Sequence, residues 1–160
     1  MNEDSFVFFW GVNGPYGCFS NWYYSPIVDD RNNYNCVEQY MMYYKAIISS
    51  DFETAQKIIE EQDPRKQKAL GRKVKNFNQN KWDNFKYKIV LNGVYLKCIQ
   101  NQEIKHKLLD TENKIIVEAS PYDEIWGIGF KEENALENID DWGQNLLGKC
   151  LMEVRENLNG

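Results

Sequence analysis

A glutamate and a lysine interrupt an otherwise apolar and aromatic stretch at residues 36–48. The apolar residues recur every three or four positions, which predicts an amphipathic helix packed into a core. Glu38 and Lys45 are seven residues apart, so they project from one face of this helix, roughly 10 Å apart along its axis. Removing a carboxylate and an ammonium from water is costly. The pair is therefore either an exposed charge pair at the helix edge or a functional feature.

The remaining residue types narrow the chemistry. His106 is the only histidine and falls in a predicted exposed helix between lysines, which makes a catalytic triad a poor fit. Neither a Gly-x-x-x-x-Gly-Lys-Ser/Thr phosphate loop nor a Gly-x-Gly-x-x-Gly turn after a strand occurs. What remains is carboxylates, aromatics and amides. That set suits hydrolysis at an anomeric carbon, where a carboxylate stabilises positive charge and another group protonates the leaving group. Tryptophans suit stacking against a nucleobase.

Length and composition predict one domain over residues 1–160, with its core at about 6–156. No apolar run is long enough to cross a bilayer, and no N-terminal stretch has the pattern of a signal peptide. We therefore expect a cytoplasmic protein that does not contact membranes. The cysteines are too scattered to predict a metal site or a disulfide framework. They are Cys18, Cys36, Cys98 and Cys150.

Charge is distributed unevenly along the chain. The net charge is −5, yet residues 64–88 carry nine Lys or Arg and one acid, Asp83, which gives this segment a charge of +8. An acidic protein is a poor general binder of nucleic acid, but one basic segment is able to contact phosphates. The alternative is a solvated helix face whose lysines promote solubility.

The pattern along the chain predicts a helix-rich α+β domain. Aromatic and β-branched runs predict strands at residues 6–10 and 114–119. A capping box from Ser50 to Glu53, and Pro64 at a first helical position, indicate two of the helix starts. Helices are predicted at 36–48, 50–62, 64–71, 82–99, 104–109 and 145–156. Turns or loops are predicted at 11–17 and 121–129, and a hairpin or surface loop at 29–35.

Short motifs in a fixed order cover roughly 135 residues of the chain. They are residues 18–22, 38–41 with 45–46, 70–74, Trp82, 96–97, Leu109 with Thr111, 118–120, Asp123, 126–129, and 145–152 with Arg155. In these motifs the chain resembles the NADAR family (NAD- and ADP-ribose-associated), the group of the bacterial YbiA-like proteins. Each motif is unspecific by itself, but their shared order argues against coincidence.

The resemblance implies a small, mainly helical α+β fold and an N-glycosidase that needs no metal or organic cofactor. Some family members remove ADP-ribose from modified guanine bases, and others cleave the ribosylamine bond of early phosphorylated riboflavin intermediates. For this chain we expect release of ADP-ribose from an ADP-ribosylated guanine nucleoside or nucleic acid. The riboflavin intermediate is the alternative substrate. A non-catalytic ADP-ribose-binding module is the third hypothesis, although two acids in its pocket would repel an anionic ligand.

The resemblance also assigns site residues. Glu38 of the Glu-Gln-Tyr-Met motif and Asp123 of the Asp-x-x-Trp-Gly loop match the family's carboxylates. One would stabilise positive charge at the anomeric carbon and the other would position water or the ribose hydroxyls, in either order. The expected substrate-binding residues are Trp82, Trp126 and Gly127 near the base or ribose, Lys45 and Arg72 at phosphate oxygens, and Ser20 and Asn21 at ribose or phosphate.

Four of the matched residues have a structural alternative. A tryptophan near the start of an amphipathic helix, such as Trp82, is more often a core residue than a stacking platform. Asp123 could close an Asx-turn, and Arg72, just past a helix end, could bind the last helical carbonyls. Arg155 in the last helix is expected to be structural.

Overall fold

The computed structural model describes residues 2–159, which form seven α-helices, four short strands and three 3-10 segments. The helices are α1 (Val37–Ile48), α2 (Phe52–Glu60), α3 (Pro64–Gly71), α4 (Gln79–Gln100), α5 (Gln102–Leu109), α6 (Glu132–Ala135) and α7 (Leu146–Asn159). The strands are β1 (Phe6–Phe9), β2 (Ile27–Val28), β3 (Asn33–Tyr34) and β4 (Ile115–Glu118). The prediction of a mainly helical α+β fold is confirmed.

Two compact units make up the chain. Unit 1 contains the residues up to Tyr23 together with those from Gln102 onwards, and unit 2 is Tyr24–Asn101. The single domain expected over residues 1–160 stays a prediction. Among the helices of residues 2–159, none is both long and apolar enough to span a membrane.

Unit 1 is built on two parallel strands, β1 and β4, whose register runs from Phe6 opposite Ile115 to Phe9 opposite Glu118. Both strands are rich in Ile, Val or Phe, residues that favour the extended backbone, and both were predicted. Helix α7 packs against β4, and α5 packs against α7. Arg155 on α7 is buried and donates to Thr111 Oγ1 at 2.8 Å and to the Lys114 carbonyl at 2.9 Å. This is the structural role expected for it.

Unit 2 is organised around α1, against which α2, α3 and α4 all pack. The first half of the apolar stripe read from the sequence is buried as expected, with Val37, Tyr40 and Met41 at most 5% exposed. Its second half, formed by Tyr44, Ile47 and Ile48, is only partly buried. Strands β2 and β3 form an antiparallel hairpin in which Ile27 pairs with Tyr34. The hairpin was one of the two structures predicted for residues 29–35.

Helices α1 and α4 run antiparallel and approach each other closely. A Cβ atom at Gly93 of α4 would lie 2.9 Å from Cδ1 of Tyr40, so glycine allows the close crossing. Nearer the other end of the pair, Lys45 late in α1 faces Trp82 early in α4, with its Nζ 5.7 Å from the ring centroid. Later residues of one helix therefore lie opposite earlier residues of the other.

Some element boundaries differ from the prediction. The N-cap of α2 is Asp51 rather than Ser50, because the Asp51 carboxylate accepts the Thr54 N–H at 3.1 Å. Helix α4 begins three residues before its predicted start, at Gln79, because the Asn78 side chain caps it. Helix α6 was not predicted, since the polar residues around it lack an apolar repeat and Ala135 alone is buried.

Candidate active site

Glu38 lies in the first turn of α1 and is buried, with 5% of its surface exposed. A carboxylate is favourable at this end of a helix because the unpaired N–H groups carry partial positive charge. The exposed charge pair that the spacing also allowed is therefore wrong for Glu38. A buried acid in an apolar and aromatic helix face is an uncommon arrangement.

Lys45, near the C-terminal end of α1, is half-buried against two aromatic rings. Its Nζ lies 4.7 Å from the ring centroid of Phe77 and 5.7 Å from that of Trp82. Burial lowers the pKa of Lys45, the negative charge of Glu38 opposes this shift, and the positive charge of Arg72 adds to it. Glu38 and Arg72 thus both lie within electrostatic range of the Lys45 ammonium.

Arg72 follows the last residue of α3 and its side chain is exposed. Its backbone N–H bonds the last carbonyls of α3, those of Lys68 and Leu70. Because the side chain is exposed, its guanidinium is accessible to an anion. Four of the predicted site residues therefore come together in unit 2, and we call Glu38, Lys45, Arg72, Trp82 and the neighbouring Phe77 the α1 cluster.

The two aromatic members of the α1 cluster differ in exposure. Trp82 is only 8% exposed, as expected if it is a core residue. Its ring lies on the buried side of Lys45, with the ring centroid 5.7 Å from Nζ. Phe77 is 39% exposed and was missed by the sequence analysis. The available signal was an isolated aromatic in a polar, basic stretch, where no core contact would call for one. Stacking of substrate on Trp82 stays a prediction.

In unit 1, Asp123 organises its own loop. One carboxylate oxygen, Oδ1, accepts the N–H groups of Ile125 and Trp126, both at 2.8 Å. This is the Asx-type turn that the sequence allowed as an alternative. The other oxygen, Oδ2, is not used in these two bonds, so the turn leaves room for a second role. The catalytic role of Asp123 stays a prediction.

Trp126 and Gly127 complete this loop, and Trp126 is half-buried. A Cβ atom at Gly127 would lie 2.8 Å from the Glu118 carbonyl oxygen and 3.0 Å from that of Asp123. The glycine is therefore required for the loop to pack onto the end of β4. The contact between Gly127 and substrate stays a prediction.

Ser20 and Asn21 follow a 3-10 segment, Gly17–Phe19, and both are buried. The Ser20 hydroxyl accepts the Trp22 N–H at 3.1 Å. The carbonyl oxygen of the Asn21 side chain is buried and receives no hydrogen bond from residues 2–159. Buried acceptors are nearly always satisfied, so this oxygen is a candidate ligand contact.

A cavity of about 670 Å³ in unit 1 contains none of the predicted site residues. Phe9 and Ala119 contribute to its apolar wall. Its charged lining consists of four glutamates and one lysine, namely Glu3, Glu132, Glu133, Glu137 and Lys131. An acidic lining repels phosphate groups, so the size of this cavity does not make it the site of an anionic substrate.

Within residues 2–159, no group of three or more His, Cys, Asp or Glu side chains is placed to bind a metal ion. None of the four cysteines forms a disulfide. His106 is exposed on α5, as predicted.

A family model described as the NADAR domain matches residues 8–159 of the chain. The chain belongs to the NADAR family. Among its relatives, N-glycosidase R617 of Acanthamoeba polyphaga mimivirus is 44% identical, with 98% of each chain covered. N-glycosidase Npun_R5314 of Nostoc punctiforme is 33% identical, over 95% of this chain and 92% of that protein.

The NADAR fold is also found in a solved structure. The NMR structure of the E. coli protein YbiA matches with a TM-score of 0.78 and 27% identity, covering 99% of this chain and 88% of that one. Some other NADAR relatives are named for riboflavin biosynthesis. The resemblance stated from the sequence motifs is thereby confirmed.

Proposed function

We propose that this NADAR protein is an N-glycosidase that hydrolyses the bond between the ribose of an attached ADP-ribose and the guanine base that carries it, releasing ADP-ribose. The observation that carries the proposal is the buried carboxylate of Glu38, within electrostatic range of the half-buried ammonium of Lys45. Two cations and an exposed aromatic ring, Phe77, belong to the same cluster. The names of two full-length relatives as N-glycosidases support the reaction class.

In the proposed reaction, the bond from the anomeric carbon to the base nitrogen breaks and its electron pair leaves with the base. The hydroxyl of water adds to the anomeric carbon, and the remaining proton of that water ends on the leaving nitrogen. The Glu38 carboxylate would stabilise the positive charge that develops on the sugar and accept a proton from the attacking water. Burial strengthens this electrostatic effect because little water screens it.

The cationic members of the α1 cluster would bind the diphosphate. Arg72 has an exposed guanidinium, which suits a two-point contact with phosphate oxygens. The Lys45 ammonium is within electrostatic range of both Arg72 and Glu38, so it would place one phosphate near the reacting ribose. The exposed ring of Phe77 offers a face for a base. Asp123, Trp126, Trp82, Gly127, Ser20 and Asn21 keep their proposed roles on the family resemblance.

The test is incubation with ADP-ribosylated guanosine, with free ADP-ribose measured by liquid chromatography. We expect release by the wild type and a roughly 10²- to 10⁴-fold lower kcat/KM for Glu38→Gln. Glu53→Gln is the matched control, because Glu53 is an exposed glutamate on α2 and should leave the rate unchanged. Equal loss in both variants would argue against a specific role for Glu38.

Two further arms separate the alternatives. Release of base from a phosphorylated ribosylamino-pyrimidine, with none from ADP-ribosylated guanosine, would assign the riboflavin-type substrate. ADP-ribose binding without turnover of either compound would leave a binding module. If nucleic acid is the substrate, the exposed basic segment at residues 64–88 predicts that activity on a modified oligonucleotide falls more steeply with salt than activity on the nucleoside.

A further inference from the structure

Lys97 is a buried cation that the proposed reaction does not use. It lies on α4, between the buried residues Val94 and Cys98, and only 1% of its surface is exposed. Lysine is almost never fully buried unless its charge is paired, because an isolated ammonium in the interior loses its hydration. Its position therefore requires a nearby anion.

The register of the two antiparallel helices places Lys97 near the start of α1. Gly93 lies against Tyr40, and Lys97 is one helical turn further along α4. One turn before Tyr40 is Cys36, the N-cap residue of α1, whose thiol is within electrostatic range of Lys97. The contact between Gly93 and Tyr40 and the effect of the Lys97 charge on Cys36 both indicate this alignment of α1 and α4.

The same thiol also lies within range of Glu38. Burial raises the pKa of Cys36 to about 12, the charge of Glu38 contributes to this rise, and the charge of Lys97 opposes it. Glu38 is two residues after Cys36 on α1 and, like Lys97, is buried. A buried anion and a buried cation thus act on one buried sulfur from the facing helices α1 and α4.

We propose that Lys97 is a positioning residue for Glu38, its ammonium forming a buried ion pair with the Glu38 carboxylate across the α1–α4 interface. The pair holds the carboxylate ionised and in one orientation. Cys36 stays a neutral thiol there, and Lys45, with Arg72 beyond it, is the other cationic influence on Glu38. The catalytic consequence rests on the proposed function, whereas the ion pair itself does not.

A thermal-unfolding cycle tests the pair without any substrate. Removing one member of a buried pair leaves an uncompensated charge, while removing both does not. We expect Lys97→Met to lower Tm strongly, and addition of Glu38→Gln to raise Tm again. If Lys97→Met does not fold, the double variant should still fold. The proposal would be overturned if the Tm of the double variant fell by the sum of the two single decreases. It would also be overturned if the double variant were unfolded.

Lys88→Met is the matched control in this cycle. Lys88 lies on the same helix but is exposed, so it should not interact with Glu38. Glu38→Gln should therefore lower the Tm of the Lys88→Met protein by the same amount as it lowers the Tm of the wild type. Lys97→Arg retains the positive charge and should retain the coupling to Glu38. A coupling to Glu38 as large at Lys88 as at Lys97 would show a general charge effect instead of a pair.

The pH dependence of ADP-ribose release tests the positioning role. With Lys97 changed to Met, the Glu38 carboxylate loses its stabilising cation, so the acid limb of kcat/KM should move up by about one pH unit or more. Lys97→Arg should keep the limb close to that of the wild type. An unmoved limb in active Lys97→Met protein would contradict the role. Absence of turnover in the wild type would defeat the proposed function while the unfolding cycle still decides the pair.

Discussion

Lys45 is the residue at which the electrostatics of the α1 cluster can be measured directly. Burial and Arg72 lower the pKa of its ammonium, and Glu38 raises it. The charged form of Lys45 is disfavoured in the folded protein. Lys45 therefore lowers the stability of the fold most at pH values where it is protonated in both the folded and the unfolded states. Stability is regained as pH rises from the lowered pKa to the ordinary one.

We expect Glu38→Gln to lower the pKa of Lys45 further, since the favourable negative charge is removed. Arg72→Gln should raise it, because a repelling positive charge is removed. The measurement is an NMR titration of the Lys45 side-chain carbon next to the ammonium. Glu53→Gln serves as the control and should leave the titration unchanged. Shifts of the same sign in the Glu38 and Arg72 variants would refute this arrangement of charges.

Asp123 allows its structural and chemical roles to be separated. Asparagine retains a side-chain oxygen for the N–H groups of Ile125 and Trp126, whereas alanine does not. We expect Asp123→Asn to keep the wild-type stability within about 0.5 kcal/mol and Asp123→Ala to lose about 1–2 kcal/mol. Unfolding in urea measures both values.

If Asp123 also acts on substrate, Asp123→Asn should lose activity while it keeps stability. Full activity in the asparagine variant would restrict the residue to its turn. The two readouts together distinguish a loop that is merely misfolded from one that lacks a carboxylate.

At the residue scale, the sequence predicted Glu38 and Lys45 because charges stand out in an apolar helix face. It did not predict Phe77, and it included Lys97 in the family motif at residues 96–97 without giving it a role. A lone phenylalanine in a polar stretch has no periodic neighbours, and a lysine on an amphipathic helix has the same appearance whether exposed or buried. Their positions depend on how α4 and the segment before it pack on α1, which is tertiary information.

At the scale of elements, the close crossing of α1 and α4 determines which side chains of unit 2 meet. Gly93 allows this approach because a Cβ atom would stand 2.9 Å from the Tyr40 ring. The same crossing aligns Lys45 with Trp82. A change at Gly93 therefore acts on the α1 cluster from a distance.

We expect Gly93→Ala to destabilise the protein by about 1–2 kcal/mol, because overpacking outweighs the gain of about 1 kcal/mol in helix propensity. Differential scanning calorimetry measures the change. Gly148→Ala is a second test of the same physics in unit 1, since its Cβ would lie 2.2 Å from the Ile116 carbonyl. A Gly93→Ala protein more stable than the wild type would show that the helices separate without cost.

The elements with a clear period were predicted well, and those without one were not. Helices α1, α3, α5 and α7 were expected within a few residues, because apolar repeats and caps are local signals. Helix α6 lacks a repeat. The parallel pairing of β1 with β4 joins distant parts of the chain, which no local pattern specifies.

At the scale of the whole molecule, acid sensitivity should reside largely in unit 2. Burial alone would raise the pKa of Asp29, but hydrogen bonds from the hydroxyls of Tyr44 and Tyr34 and from two backbone N–H groups hold it below its ordinary value. The pKa of Asp51 is lowered by the Lys75 N–H and by Thr54. Carboxylates with lowered pKa stabilise the fold above their ordinary pKa, and this contribution is lost as pH falls through the folded-state value.

We expect the wild-type Tm to fall steeply below about pH 4, and to fall less steeply in an Asp29→Asn, Asp51→Asn double variant. Circular dichroism melts between about pH 2.5 and pH 7 give both curves. Asp30→Asn is the control, because its carboxylate is not among those held by these hydrogen bonds. Parallel curves for the wild type and the double variant would place the acid sensitivity elsewhere.

The pairing of β1 with β4 also sets an order of events on the ribosome. Strand β1 and the exposed Trp10 that follows it emerge before unit 2, and their partner strand emerges only after all of unit 2 has been synthesised. At about 5–20 residues per second, this apolar strand waits on the order of ten seconds for its neighbour. Unit 2 is continuous in sequence and should resist protease on the nascent chain before unit 1 does. The growing chain, more than the finished protein, is then the state in which this strand is open to aggregation or to a chaperone.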